Sequence, residues 1–153
     1  MDITQIPFNA FLEIHQSGIE DRLLRLRFKE TMKNHLGTFH ASGQFALAEA
    51  CSGLALQQHF PHLAKSVMPV LRKSEIKFKK PAQSDIYAEA GIAAEAKMQF
   101  EQQLEKKGRA AITVPVEIKD ENGTVTMSGA FEWFVQKIPA GTPDAAKASS
   151  GNP

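Results

Sequence analysis

Asn34, His40 and Glu49 have side-chain types suited to chemistry at a carbonyl, within one short window. Between positions 42 and 58, Glu49 is the only ionisable group apart from Cys51. The residues around it are almost all apolar, and a helix that is apolar all round is a buried helix. A carboxylate taken out of water is costly, or holds its proton more tightly. A lone acid in such a helix is therefore a candidate general base or nucleophile. The alternative is a structural acid, paired with a Lys or Arg from a neighbouring sheet. Ser42 reads as an N-cap with Gly43 just inside the helix. The free N–H groups of a first turn can hold an oxyanion that develops on a carbonyl.

Residues three and four apart share a helix face. Phe45 lies one turn before Glu49, and Ser52 and Gly53 lie one turn after it. A glycine inside a helix costs about 1 kcal/mol relative to alanine. The small pair either leaves a gap for a ligand or lets another element pack closely. Ser42 and Glu49 are separated by roughly 10 Å of helical rise. Reacting atoms must approach to about 3–3.5 Å. An active site built from both ends of this stretch therefore needs a second copy of the chain.

Asn34, Gly37, His40, the run Leu47-Ala48-Glu49-Ala50 and the closing Gly53 together resemble the hotdog-fold acyl-CoA thioesterases. The likeness is to the phenylacetate-type branch and related proteins, and it extends from about residue 21 to about residue 137. It implies an α+β hotdog fold, an antiparallel sheet wrapped around a central helix. It also implies roles. Glu49 falls on the acid that activates water or attacks the thioester. Ala41 falls on the first glycine after the motif histidine, whose backbone N–H polarises the carbonyl. Asn34 falls on the polar residue that holds water or substrate, and His40 on the motif histidine. Ala41-Ser42 replaces the family's Gly-Gly, which preserves the N–H chemistry only where φ is negative and nothing crowds the carbon. Ser42, Gly43, Phe45, Ser52 and Gly53 are the substrate-binding candidates.

The 153 residues suit one domain with a proper core. Lys and Arg number 18 against 17 Asp and Glu, so no global charge draws the chain to nucleic acid or to a membrane. A single cysteine allows no internal disulfide. A buried free thiol, no long apolar span and no signal-peptide pattern make the cytoplasm the expected compartment. The spacing predicts a helix over 4–16, a strand over 22–29, a central helix over about 43–58 and a strand over 67–79. Further strands are expected at 86–92, at 109–119 with Pro115 marking an edge or bulge, and at 124–136 after the turn Asp120-Glu121-Asn122-Gly123. Residues 96–107 are ambiguous, with a short helix over 101–107. One hotdog domain over 1–137 is expected, followed by a disordered tail over 138–153.

The implied activity is hydrolysis of an acyl-CoA or acyl-carrier thioester by a homodimer, alone or paired into a tetramer. It needs no metal and no cofactor. His59 and His62 lack a third ligand at a recognisable spacing. Lys77, Lys79, Lys80, Lys106, Lys107 and Arg109 are candidates to meet coenzyme A phosphates. Two rivals stand beside this reading. A hotdog dehydratase would use His35 with Glu49. A binding module would hold an acyl group without turning it over.

Overall fold

Two periodicities build the molecule, an alternation of two in the strands and one long apolar run in the central helix. The structure is a computed structural model, and it describes residues 1–139. The tail expected over 138–153 lies, from residue 140 onward, outside the described residues. A 3-10 turn at Ile3–Gln5 leads into α1 (Pro7–Leu12). Next come β1 (His15–Ile19), β2 (Arg22–Leu26), α2 (Ala41–His59), β3 (Val67–Phe78) and β4 (Ile86–Ala90). α3 (Ala94–Lys107), β5 (Arg109–Asp120) and β6 (Val125–Lys137) complete the order.

The strands form one antiparallel sheet in the order β1-β2-β4-β5-β6-β3. Leu24, Leu26, Ile86, Ala88, Val114, Val116, Ile118, Met127 and Phe131 are buried on its inner face. α2 lies across that face with Leu47, Ala48 and Cys51 buried. Each large aliphatic side chain so buried contributes about 1.5–3 kcal/mol. Ala46, Ala48, Ala50 and Ala55 are buried too, so the helix is enclosed on more than one side. Burial pushes the Cys51 thiol up to about 12, which leaves it protonated and unreactive. β3 is an edge strand with exposed apolar residues, among them Met68 at 57% and Phe78 at 50%. No helix among the described residues is long and apolar enough to cross a membrane.

Four local expectations are corrected. The helix expected over 4–16 stops at Leu12, because Glu13 turns left-handed at φ 61° and the chain continues as β1. That edge strand is mostly exposed, so it lacks the buried periodicity that would have marked it. The ambiguous stretch is one full helix, α3, which is longer than 101–107. It buries Phe100 and Leu104 and stops at Gly108 with φ 68°. Pro115 sits in an inner strand rather than an edge. β4 ends at Ala90 opposite Val116, so β5 has no β4 neighbour at the proline. The fourth correction is the cap of α2.

Candidate active site

His40, not Ser42, caps α2. Its backbone is extended at φ −64° and ψ 137°, and its Nδ1 accepts from the Ser42 N–H at 3.0 Å. Ser42 already lies inside the helix, and its N–H is the one being capped. The Gly43 and Gln44 N–H groups both donate to the His40 carbonyl. Ala41 is therefore the first helical residue, and its N–H donates to no group among the described residues. Among the described residues, left-handed backbone outside glycine is confined to Glu13 and Asp21. Ala41 thus sits on ordinary helical backbone.

The approach to this N-terminus is a tight turn over 34–38. Asn34 Oδ1 accepts from the Leu36 and Thr38 N–H groups at 2.9 and 3.1 Å, and its Nδ2 donates to Thr38 Oγ1 at 2.9 Å. Gly37 supplies the left-handed backbone that the turn requires, at φ 71°. Asn34 shapes the loop that presents α2, and these contacts occupy both ends of its amide. His35 is exposed in the same turn. A cavity of about 260 Å³ opens here, lined by Asn34, Ala41, Gln44, Phe78, Lys79 and Lys80. His40, Ser42 and Gly43 border a second cavity of about 420 Å³ with Phe8 and Phe11.

Glu49 is half-buried on α2. No ion pair or hydrogen bond to its carboxylate exists among the described residues, so the paired structural acid is not what is found. Burial, with no compensating cation, raises its pKa above the ordinary carboxylate value. Phe45 packs on Phe131 with ring centroids 5.7 Å apart. Ser52 is fully buried, donating to the Glu49 carbonyl at 2.7 Å and accepting from Trp133 Nε1 at 3.0 Å. A methyl on Gly53 would touch the Trp133 ring and Ile3 at about 3.5 Å. Ser52 and Gly53, expected as substrate-binding, are instead seats for Trp133. Gly43 likewise closes on its own chain, with the Phe39 ring 3.0 Å from where a Cβ would stand.

Eight residues of helix separate Ala41 from Glu49, about 12 Å of rise, so one chain does not bring the donor and the acid together. The candidate phosphate-binding cations also divide. Lys79 and Lys80 line the cavity beside Ala41. Arg109 opens β5, nine residues and about 30 Å of strand before Ile118, whose carbonyl lies beside Thr126 at the cavity end of the sheet. Lys106 and Lys107 are at that far end with it. Gln44 was not expected in the site. It is buried, and its carbonyl end is held by Thr126. No group of three or more potential metal-ligating side chains forms among the described residues.

Solved structures share this fold. A Pseudomonas aeruginosa protein described as a probable thioesterase is 25% identical, with 89% of this chain and 91% of that one aligned at a TM-score of 0.73. A Haemophilus influenzae thioesterase is 16% identical over 92% and 90% of the two chains, at 0.69. A Bacillus halodurans protein solved with CoA is 19% identical over 73% and 69%, at 0.59. Among curated proteins none matches this chain. The fold is the hotdog fold, with thioesterases among its structural neighbours. Residues 6–135 match the family model described as a domain of unknown function, DUF4442, and the chain belongs to that family.

Proposed function

We propose that this chain is an acyl thioester hydrolase working as a symmetric homodimer, with Ala41 of one protomer and Glu49 of the other in each site. The observation that carries this reading is a pair of unsatisfied groups. One is a backbone N–H at the head of α2, and the other is an unpaired, half-buried carboxylate eight residues further on. The exposed apolar edge of β3 supports a second copy, because such an edge invites pairing. The neighbours described as thioesterases, and the one solved with CoA, support the substrate class.

The thioester carbonyl rests on the Ala41 N–H. The Glu49 carboxylate takes a proton from water as the water oxygen bonds to the carbonyl carbon. The carbonyl electron pair moves onto oxygen, and the helix N-terminus stabilises that charge. As the carbonyl re-forms, the carbon–sulfur bond breaks and the sulfur takes the proton back from Glu49. Asn34 acts through the turn it builds, and His40 through the cap it makes. The acyl group lies in an apolar slot near Phe45, and Lys79 and Lys80 meet coenzyme A phosphates.

The test is thiol release from short, medium, long and aromatic acyl-CoA substrates, with Glu49→Gln alongside. The variant should lose about 100-fold or more in kcat. Equal activity in both would remove Glu49 from the chemistry. Hydration of an enoyl thioester without hydrolysis would establish the dehydratase rival, and saturable binding without turnover the binding module.

A further inference from the structure

The cavity at the head of α2 holds one polar group that the reaction above does not use. Gln44 is only 4% exposed and forms part of the cavity wall beside Ala41. Thr126 Oγ1 donates to Gln44 Oε1 at 2.8 Å, and the same hydroxyl lies 3.3 Å from the Ile118 carbonyl. This contact anchors the carbonyl end of the amide to the sheet. The other end, Nε2, carries two N–H donors that have no partner among the described residues. Among the described residues the one fully buried side-chain polar atom without a partner is Arg25 Nε, so Nε2 of the otherwise buried Gln44 keeps its access to solvent, in a side chain that lines this cavity. Gln44 stands three residues after Ala41, so the two share one face of the first turn.

We propose that Gln44 Nε2 is a second donor to the thioester carbonyl oxygen, beside the Ala41 N–H. The proposal rests on the hydrolase reading and adds a catalytic residue to it. A tetrahedral oxyanion has more than one lone pair to satisfy, and a single backbone N–H serves one. The amide is neutral, so it brings no charge that would pair with Glu49. It donates a hydrogen bond and gives up no proton, while the negative charge gathers on oxygen as water adds to carbon. Thr126 is a positioning residue, since its hydroxyl fixes which end of the amide faces the cavity.

Two coenzyme A derivatives test this on the full chain. One is a 2-oxoalkyl thioether, a ketone with a methylene between carbonyl and sulfur, which keeps the oxygen and cannot be hydrolysed. The other is the matching alkyl thioether, which has no such oxygen. In proton–nitrogen NMR of the wild type, the Gln44 side-chain amide, assigned through its own spin system, should shift with the ketone and stay in place with the thioether. Gln44→Met should lower kcat about 100-fold with KM changed less than about threefold. Thr126→Ser, which keeps the hydroxyl, should retain activity. A ketone that fails to bind, or that binds without moving the amide, overturns the proposal. So does a folded Gln44→Met with wild-type kcat. Thiol release with an unmoved amide keeps the hydrolase and loses Gln44. An amide shift without any thiol release keeps Gln44 as a carbonyl-binding donor and loses the hydrolase.

Discussion

Ala41→Pro removes one backbone donor and leaves the helix intact. Ala41 is the first residue of α2, where proline is well tolerated. The residue before a proline must be extended, and His40 already is, at φ −64° and ψ 137°. The Ala41 N–H has no acceptor among the described residues, so the substitution removes no hydrogen bond found there. The stiffer unfolded chain should stabilise the variant by about 0.4–1 kcal/mol. At about 2–4 °C per kcal/mol for a chain of this size, Tm should rise by roughly 1–4 °C. Loss of one oxyanion donor should lower kcat about 100- to 1,000-fold. Glu49→Gln is the complementary defect. In a twofold dimer with donor and acid on different protomers, a heterodimer of the two variants has one intact site and one doubly defective site. Free exchange of equal amounts makes half the dimers mixed, so about a quarter of wild-type activity should return. Thiol release is measured before and after exchange, with mixed dimers isolated through different tags. Mixed dimers no more active than their parents would refute a shared site, and undiminished activity in Ala41→Pro would remove the donor.

Glu49→Gln should also raise stability at pH 7. Burial raises the folded pKa of Glu49, so its charge opposes folding above that value. The gain should shrink as pH falls and vanish below about 4.5, the ordinary value, where both states are protonated. Thermal melts from pH 3.5 to 8 check this, and the acid limb of kcat/KM should fall above 4.5 for the same reason. Ser52→Ala strands the Nε1–H of Trp133. It should cost about 1–3 kcal/mol, read from urea unfolding by the fluorescence of the chain's single tryptophan. Lys79→Ala or Lys80→Ala should raise KM for an acyl-CoA roughly fivefold, as an exposed charge pair worth about 1 kcal/mol predicts. Neither should change KM for the same acyl group on a short thiol without phosphates, and Lys106→Ala should change neither.

What the sequence made legible was local and periodic. The central helix shows as an apolar run broken by one charge, Glu49, and the β5–β6 hairpin shows as Asp120-Glu121-Asn122-Gly123. There Asp120 Oδ1 accepts from the Asn122 and Thr124 N–H groups, and Gly123 takes φ 80°. β1 was illegible because an exposed edge strand has no buried face to leave an alternation. The cap was misplaced for a chemical reason. Serine is the commoner cap, but an imidazole Nδ1 accepts a hydrogen bond equally well, and His40 stands two residues earlier. Glu49 stood out because a lone charge in an apolar helix is costly wherever it points. Gly53 left two readings open because a missing side chain looks the same whether a ligand or a neighbour fills the space. Trp133 and Ile3 fill it. Gln44 had the opposite fault. A glutamine in a helix draws no notice, since its type costs nothing there. Its meaning comes from Thr126, 82 residues away in the chain, which no window on the helix contains. Groups marked by what they lack are visible in sequence, whereas a group marked by the partner that orients it becomes visible only when the sheet is folded against the helix.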